Sequence, residues 1–172
     1  MINLQEHFEY NWYVVYTKPR NEKKVSQELD KQGIVHYLPL VKTLRQWSDR
    51  KKKVEIPLFN SYVFVFVSSK EYFSVLKVVG VVKFITFSGK AVTIPEKQID
   101  AIKKTLQHEL EMEATTEIFK IGQKIEIIEG ILAGINGEII TISGKNKFLL
   151  RIENIGYSLL ITINKSAIKI LN

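Results

Sequence analysis

Cysteine is absent from this 172-residue sequence, and histidine is scarce, with three residues. Without cysteine, the chain has neither a disulfide framework nor a thiolate zinc site. The histidines (His7, His36 and His108) are far apart, and none has metal-ligand spacing. No apolar run approaches the roughly 18 residues of a membrane span, and residues 1–11 show no signal-peptide pattern. We therefore predict a cytoplasmic protein with no cofactor, no metal and no membrane contact.

The local patterns of enzyme sites are also missing. The glycine-rich segment 130–137 lacks the Lys-Ser/Thr pair of a phosphate-binding loop and lies between two predicted strands. Its glycines are better explained by turns with positive φ or by close backbone approach. No local motif suggests a Ser/His/Asp arrangement. The sequence therefore predicts a protein that is not an enzyme.

Positive charge, in contrast, is in excess. The formal net charge is +7 and the pI is about 9.4, which favours a polyanionic partner such as nucleic acid. Segment 42–53 alone holds six basic residues and one acid. We interpret this segment as the main electrostatic contact, although a solvated basic loop would have the same composition.

The most informative stretch is 62–67, in which aromatic residues and valines alternate. Successive side chains of a strand point to opposite faces, so Tyr62, Phe64 and Phe66 share one face and the valines share the other. Neither face is polar, which predicts a central strand covered on both sides. We expect helices to cover the valines. The aromatic face is covered either by the chain itself or by a partner, and these residues alone leave both possibilities open.

Before and after this stretch, the pattern predicts a mixed α/β region with a largely antiparallel sheet. Its predicted elements are a strand at 12–17, a helix capped by Asn21 and ended by Gly33, a strand at 35–40 in which Pro39 favours an edge or a bulge, a hairpin tip or mobile loop at 45–53, a return segment at 54–58, a helix from Ser68 to Val78, a strand at 81–87 with a turn at 88–89, a return strand at 91–94, and an amphipathic helix from Pro95 to Glu111.

The composition and the hydrophobic pattern change after this region. Segment 111–117 is acidic and of low hydrophobicity, which predicts a linker. Short isoleucine-rich runs separated by glycines then predict five strands in a small β-barrel, because β-branched residues disfavour a helical alternative. The runs are 124–129, 138–142, 148–153, 158–163 and 167–171. We place domain boundaries at 11–111, 112–118 (linker) and 119–172.

Four segments, in this order, resemble the NusG family. They are Trp12–Val25, the aromatic strand with its approach at 57–65, Gly80–Phe84 with Ile94–Pro95, and the KOW-like run 120–139. The resemblance implies an α+β fold: an NGN-type antiparallel sheet flanked by helices, linked to a C-terminal SH3-like (KOW) small β-barrel. One departure is Asn60–Ser61, where the family usually has Pro followed by Gly or Asn, and we expect a more flexible turn there.

The family resemblance implies a factor that binds RNA polymerase during elongation and suppresses pausing and termination. Segment 44–52 looks most like the specialised UpxY-type and RfaH-like antiterminators, which act on long operons such as capsular polysaccharide clusters. A general NusG-type elongation factor is one alternative, and an RNA- or ribosome-binding KOW protein is another. The implied partners are RNA polymerase, the non-template DNA strand and, through the barrel, a ribosomal protein or a termination factor. We expect a monomer.

The resemblance also implies particular contacts. The residues that match polymerase-binding positions are Tyr16, Tyr62, Phe64, Phe84 and Ser74, whereas Phe66 is assigned to the core. Lysine and arginine hold phosphates, and an indole can stack on bases. The implied nucleic-acid contacts are Lys18, Arg20, Lys23, Lys24, Arg45, Trp47, Arg50, Lys51 and Lys52. A solvated helix face is the alternative for the first four, and a disordered basic loop is the alternative for the rest.

Overall fold

A computed structural model describes residues 9–46, 51–117, 122–142, 145–152, 155–162 and 165–171. The helices and strands are β1 (Asn11–Thr17), α1 (Glu22–Lys31), β2 (His36–Tyr37), β3 (Leu40–Gln46), β4 (Lys51–Pro57), β5 (Tyr62–Val67), α2 (Tyr72–Leu76), β6 (Val81–Phe84), β7 (Thr86–Phe87), β8 (Lys90–Ala91), α3 (Glu96–Gln107), β9 (Met112–Thr115), β10 (Gln123–Ile127), β11 (Asn136–Ile142), β12 (Lys145–Ile152), β13 (Tyr157–Ile161) and β14 (Ile168–Ile170), with a 3-10 turn at Lys165–Ala167.

The chain divides into two compact units. The first unit comprises the residues up to 38 together with 60–94, and the second comprises 39–59 together with the residues from 95 onward. The domain boundaries predicted from the sequence stay a prediction. Among the described residues, no helix is both long enough and apolar enough to cross a membrane.

The first unit is built on a four-stranded antiparallel sheet in the order β2-β5-β1-β6. Strand β5 lies inside this sheet and pairs with β1 from Tyr62 opposite Tyr16 to Val67 opposite Asn11. The prediction of a central aromatic strand is therefore confirmed. Strand β2 is short and lies at an edge, as the proline after it suggested.

Helices cover the valine face of β5, as predicted. Val63 and Val65 have no exposed surface and belong to one cluster with Val25 of α1 and Val75 of α2. Smooth β-branched side chains pack well on a pleated surface. This face is therefore the core of the first unit, and the opposite face is where the aromatic side chains of β5 lie.

Helix α1 forms where it was predicted and ends before Gly33, whose φ of +67° suits glycine. The side chain of Asn21 does not cap it, because its Nδ2 donates instead to the Pro19 carbonyl at 3.1 Å. The backbone carbonyl of Asn21 accepts the first helical hydrogen bond, from the Val25 N–H.

Helix α2 is shorter than the predicted helix from Ser68 to Val78. The Glu71 carboxylate accepts hydrogen bonds from the Ser68 amide at 3.0 Å and the Ser68 hydroxyl at 2.5 Å. Residues 69–71 consequently form a turn, and the helix begins at Tyr72. Val79, which lies beyond the end of the helix, is 67% exposed.

Two further boundaries differ from the sequence prediction. The strand at 81–87 is divided at Ile85, and the predicted turn joins β7 to β8 with positive φ at Ser88 and Gly89. Helix α3 starts after Pro95 and stops at Gln107 rather than at 111, because Glu109 takes a left-handed φ of +50°.

The second unit contains the β3–β4 hairpin, α3 and a six-stranded antiparallel sheet in the order β14-β10-β11-β12-β13-β9. All five predicted C-terminal strands are present. Residues 112–115 were assigned to the linker but form strand β9, because the exposed edge of β13 offers them a full antiparallel ladder from Met112 opposite Ile161 to Thr115 opposite Ser158.

Glycine serves two distinct purposes in the second unit, as the sequence predicted. Gly134 has a φ of +83° in the turn before β11. At Gly137, a Cβ atom would clash with the Phe148 ring. The mixed α/β architecture with antiparallel sheets confirms the predicted fold class, and the C-terminal sheet is consistent with a KOW domain.

Candidate functional site

The centre of the candidate site is a pair of tyrosines on neighbouring strands. Tyr16 lies directly opposite Tyr62 in the β1–β5 register. Their ring centroids are 5.6 Å apart and their planes meet at 78°, an edge-to-face arrangement. Both side chains are half-buried, so part of each ring faces solvent. The structure thus brings together two of the residues predicted to contact polymerase.

Lys83 of the neighbouring strand β6 extends the tyrosine pair to a row of three residues, Tyr62–Tyr16–Lys83. It pairs with Tyr16 in the β1–β6 register, and directly opposite residues project from the same face of a sheet. Lys83 is exposed and forms no ion pair with any described residue. Lys83 was not among the residues predicted from the sequence, although alternation gave a signal: Lys83 and Phe84 point to opposite faces, so only one of them can join Tyr16.

Phe84 does not join the tyrosine pair. It lies opposite Val15 and belongs to the helix-side core, with 2% of its surface exposed. Its ring stacks on Tyr72, with centroids 4.2 Å apart and planes inclined by 11°. Phe84 is therefore on the other face of the sheet from Tyr16 and Tyr62, with which the family resemblance grouped it.

Phe64 shares the face of Tyr62 but has no exposed surface. Its ring stacks on Tyr37 of the edge strand, with centroids 6.3 Å apart and planes inclined by 29°. Burial raises the pKa of Tyr37 to about 12. With no exposed surface in this conformation, Phe64 offers no ring to a partner.

Phe66 is more exposed than the sequence predicted. It was assigned to the core, yet it is only half-buried. Its ring lies 5.3 Å from Trp12 and 5.7 Å from Tyr10. The aromatic face of β5 thus has a buried middle residue between two partly exposed ends.

Ser74 is exposed on α2, next to Phe73, which is 67% exposed. Val75 of the same helix packs into the helix-side core. Helix α2 therefore covers the valine face, and Ser74 lies on the opposite side of the sheet from the tyrosine pair. The predicted polymerase contacts that reach the surface, Tyr16, Tyr62 and Ser74, therefore lie on two separate surfaces of the first unit.

A basic corner joins β1 to α1. We use this name for Lys18, Arg20, Lys23 and Lys24, which are all exposed. The turn is closed by a hydrogen bond from the Asn21 amide to the Lys18 carbonyl at 3.0 Å. Arg20 has a left-handed φ of +64°, which is uncommon outside glycine. The corner begins at Lys18, two residues after Tyr16, so these cations lie at the end of the strand that bears the tyrosine.

The carboxylates of the first unit are largely engaged elsewhere. Glu28 pairs with Lys31 at 2.7 Å, and Glu71 binds Ser68 and Tyr10. Glu22 is buried and accepts a backbone N–H. In the described part of the chain, no carboxylate forms an ion pair with a cation of the basic corner. The positive charge of the corner is therefore not neutralised by an ion pair with these carboxylates.

The second predicted nucleic-acid segment forms the β3–β4 hairpin of the second unit. Arg45 lies opposite Lys52, and Gln46 lies opposite Lys51. Lys52 is exposed. Trp47 and Arg50 lie outside the described residues. The hairpin is confirmed, whereas its contact with nucleic acid stays a prediction.

A groove of about 540 Å³ lies within the second unit, between the hairpin and the end of α3. Leu40, Leu106, Leu110 and Met112 contribute its apolar lining. Of the residues predicted to bind polymerase or nucleic acid, none that the structure describes lines it. The groove and the candidate site are therefore distinct.

Comparison with known proteins identifies the relatives of this chain. The profile of the NusG family, described as "Transcription termination factor nusG", matches residues 10–103. A structure titled "Domain interaction in Thermotoga maritima NusG" has a TM-score of 0.53 and 24% identity, covering 95% of this chain and 98% of that chain. A structure of the MjSpt4:Spt5 complex has a TM-score of 0.30 and 17% identity, covering 94% and 97%. A search of curated proteins found no match. The tyrosine pair, Lys83 and the basic corner all lie inside the matched segment.

Proposed function

Because the chain belongs to the NusG family of non-enzymatic transcription factors, we propose that it binds RNA polymerase through the Tyr16–Tyr62 pair and promotes transcript elongation. The observation that carries this proposal is the partly exposed pair itself. Two rings held edge to face on adjacent strands form a preorganised aromatic surface, and Phe64 on the same face of β5 is buried. Such surfaces provide binding hot spots, because their rings lose little entropy on contact.

Lys83 defines the chemistry of the partner more closely. A cation beside two tyrosine rings favours a docking segment that presents apolar side chains to the rings and a carboxylate to the ammonium group. A helical segment with apolar residues on one face and an acid at its margin has this character. The row Tyr62–Tyr16–Lys83 is thus suited to a helical element of the polymerase.

The basic corner supplies the second contact. Exposed lysine and arginine side chains hold phosphates without reading sequence. We assign this corner to the exposed non-template DNA strand of the transcribing complex. Because its cations lie close after Tyr16 in the chain, one short segment carries both the polymerase contact and the DNA contact.

A specialised role is the finer proposal. Segment 44–52 resembles the UpxY-type antiterminators, and the β3–β4 hairpin concentrates cations near its tip. These features support an antiterminator that acts in the cytoplasm on a long operon, such as a capsular polysaccharide cluster. A general elongation factor would carry the tyrosine pair without needing a basic hairpin.

The test of function is an elongation assay with purified polymerase on a long template that contains a pause site and a terminator. We expect the protein to shorten the pause and to increase read-through. Read-through that stays the same at saturating protein would contradict the proposal. Retained binding to RNA, without binding to polymerase, would favour the alternative of an RNA- or ribosome-binding protein.

Genomic occupancy separates a specialised factor from a general one. Chromatin immunoprecipitation of the protein should show enrichment on one or a few operons if the role is specialised. Occupancy that follows polymerase across most genes would instead identify a general elongation factor.

A further inference from the structure

The turn that precedes β5 contains a residue in an unusual conformation. Ser61 has a φ of +64°, in the left-handed region that glycine occupies at little cost and serine occupies rarely. It is also buried, with 8% of its surface exposed. A non-glycine residue persists in this region only when its surroundings hold it there. Neighbouring groups must therefore hold Ser61 in place.

Both backbone groups of Ser61 are bound by residues of the β1–α1 connection: Thr17, which precedes the basic corner, and Glu22, which lies within it. The Ser61 carbonyl accepts a hydrogen bond from the Thr17 N–H at 2.8 Å. The Ser61 N–H donates to Oε1 of Glu22 at 2.7 Å. The turn, which was expected to be flexible because it lacks the family's usual proline, is thus hydrogen-bonded on both sides.

Glu22 is an uncommon residue to find in this role. Its side chain is only 5% exposed, and a buried carboxylate is costly unless it is hydrogen-bonded. Its place as the first residue of α1 favours negative charge, because the helix N-terminus carries a partial positive charge. A charged acceptor also forms a stronger hydrogen bond than a neutral one. Glu22 is thus placed to hold the Ser61 amide firmly.

The same corner is fixed from a second direction. The Lys18 N–H donates to the Gly80 carbonyl at 2.8 Å. A Cβ atom at position 80 would lie 2.9 Å from Val25 Cγ2 and 3.3 Å from Asn21 Cβ. The segment from Thr17 to Glu22 is therefore packed between the turn before β5 and the turn before β6.

We propose that Glu22 is a positioning residue that fixes the tyrosine pair and the basic corner as one rigid surface. Its carboxylate holds Ser61 in the left-handed conformation, which sets the start of β5 and so places Tyr62 beside Tyr16. The polymerase contact and the nucleic-acid contact then act together, because neither has to be ordered when the other forms. This inference rests on the proposed function for its binding consequence, but its structural part does not require polymerase.

The structural part is tested by amide hydrogen exchange on the full chain. We expect Glu22→Ala to speed exchange of the Ser61 amide by about tenfold or more, while Val65 in the middle of β5 keeps its protection. Glu22→Asp keeps the charge but shortens the side chain, so it serves if the alanine variant folds poorly, and it should have the same effect. Glu28→Ala, on the same helix, is the matched control. Unchanged exchange at Ser61 in both Glu22 variants would overturn the proposal.

The binding part is tested by affinity for a reconstituted elongation complex. We expect Glu22→Ala to weaken binding by about tenfold, and Glu22→Gln to stay close to wild type because its amide oxygen still accepts from Ser61. Adding Ser61→Gly to the Glu22→Ala variant should restore most of the lost affinity, since glycine adopts the left-handed conformation without the hydrogen bond from Glu22. A double variant that binds no better than Glu22→Ala would contradict the positioning role.

The two failures are distinguishable. If wild-type protein does not bind polymerase while Glu22→Ala still speeds exchange of the Ser61 amide, the proposed function is wrong, but the structural role of the Glu22–Ser61 hydrogen bond is supported. If wild-type protein binds and the glycine rescue fails, the function stands and the positioning role of Glu22 falls.

Discussion

At the scale of single residues, alternation along one short strand decides what Tyr16 faces. Lys83 and Phe84 are neighbours in sequence, but only Lys83 shares a face with Tyr16. The family resemblance selected Phe84, which the fold places in the helix-side core. The tyrosine pair could be predicted from the sequence because alternation and family position agreed there. The lysine required the register of β6 against β1, which depends on contacts distant in sequence.

A second residue-scale feature is the Glu71 carboxylate, which organises the start of α2. Hydrogen bonds from Ser68 and then from Tyr10 lower the pKa of Glu71 to about 2. A folded-state pKa below the ordinary value of 4.5 means that this group stabilises the fold fully above pH 4.5. Its contribution is lost as the pH falls from there towards 2.

We therefore expect Glu71→Gln to flatten the acid part of the stability profile. Urea midpoints measured at pH 6 and pH 3 should fall more steeply for the wild type than for this variant. Glu9→Gln, which removes an exposed carboxylate, is the control and should follow the wild type. Equal slopes for Glu71→Gln and wild type would refute this account of Glu71.

At the scale of helices and strands, the elements with a strong periodic pattern formed where the sequence placed them. Strand β5, helix α1 and the five C-terminal strands belong to this group. The misplaced elements depend on interactions that a periodicity cannot show. Helix α2 is shortened by the Ser68–Glu71 hydrogen bonds, and the acidic segment 112–115 becomes a strand because β13 has an edge free to pair with it.

Helix α1 holds its place through buried side chains rather than through a cap. Leu29 has no exposed surface and belongs to the core cluster with Val63 and Val65. Replacing a buried leucine by alanine removes its transfer free energy and leaves a cavity, so we expect Leu29→Ala to cost about 2–5 kcal/mol in urea denaturation. Gln27→Ala, on the exposed face of the same helix, should change the free energy of unfolding little. A destabilisation below about 0.5 kcal/mol for Leu29→Ala would contradict this core assignment.

At the scale of the whole molecule, the fold indicates where part of the excess positive charge is exposed. The net charge of +7 predicted a polyanionic partner without saying where it binds. In the first unit, the basic corner stays exposed while the carboxylates are largely engaged by other groups. Sequence alone could count these charges, but the pairing of the acids depends on the fold.

This distribution predicts how binding to single-stranded DNA depends on salt. Replacing Lys18, Arg20, Lys23 and Lys24 together by glutamine should weaken binding and reduce the slope of log Kobs against log salt by about 0.7 for each phosphate that the variant no longer neutralises. Lys77→Gln with Lys90→Gln, two exposed cations outside the corner, is the control and should leave the slope nearly unchanged. An unaltered slope in the fourfold variant would remove the corner from the nucleic-acid interface.

The central claim is that the tyrosine pair of the first unit binds RNA polymerase. Its most direct test is the dissociation constant of purified polymerase for the full-length protein and its Tyr16→Ala and Tyr62→Ala variants. Phe87→Ala is the control, because Phe87 is an aromatic residue of the same unit that is 72% exposed and lies outside the tyrosine row. We predict that each tyrosine variant raises Kd about 30-fold, which corresponds to roughly 2 kcal/mol for a hot-spot ring, while Phe87→Ala binds like the wild type. Equal affinities for the wild type and both tyrosine variants would contradict the claim.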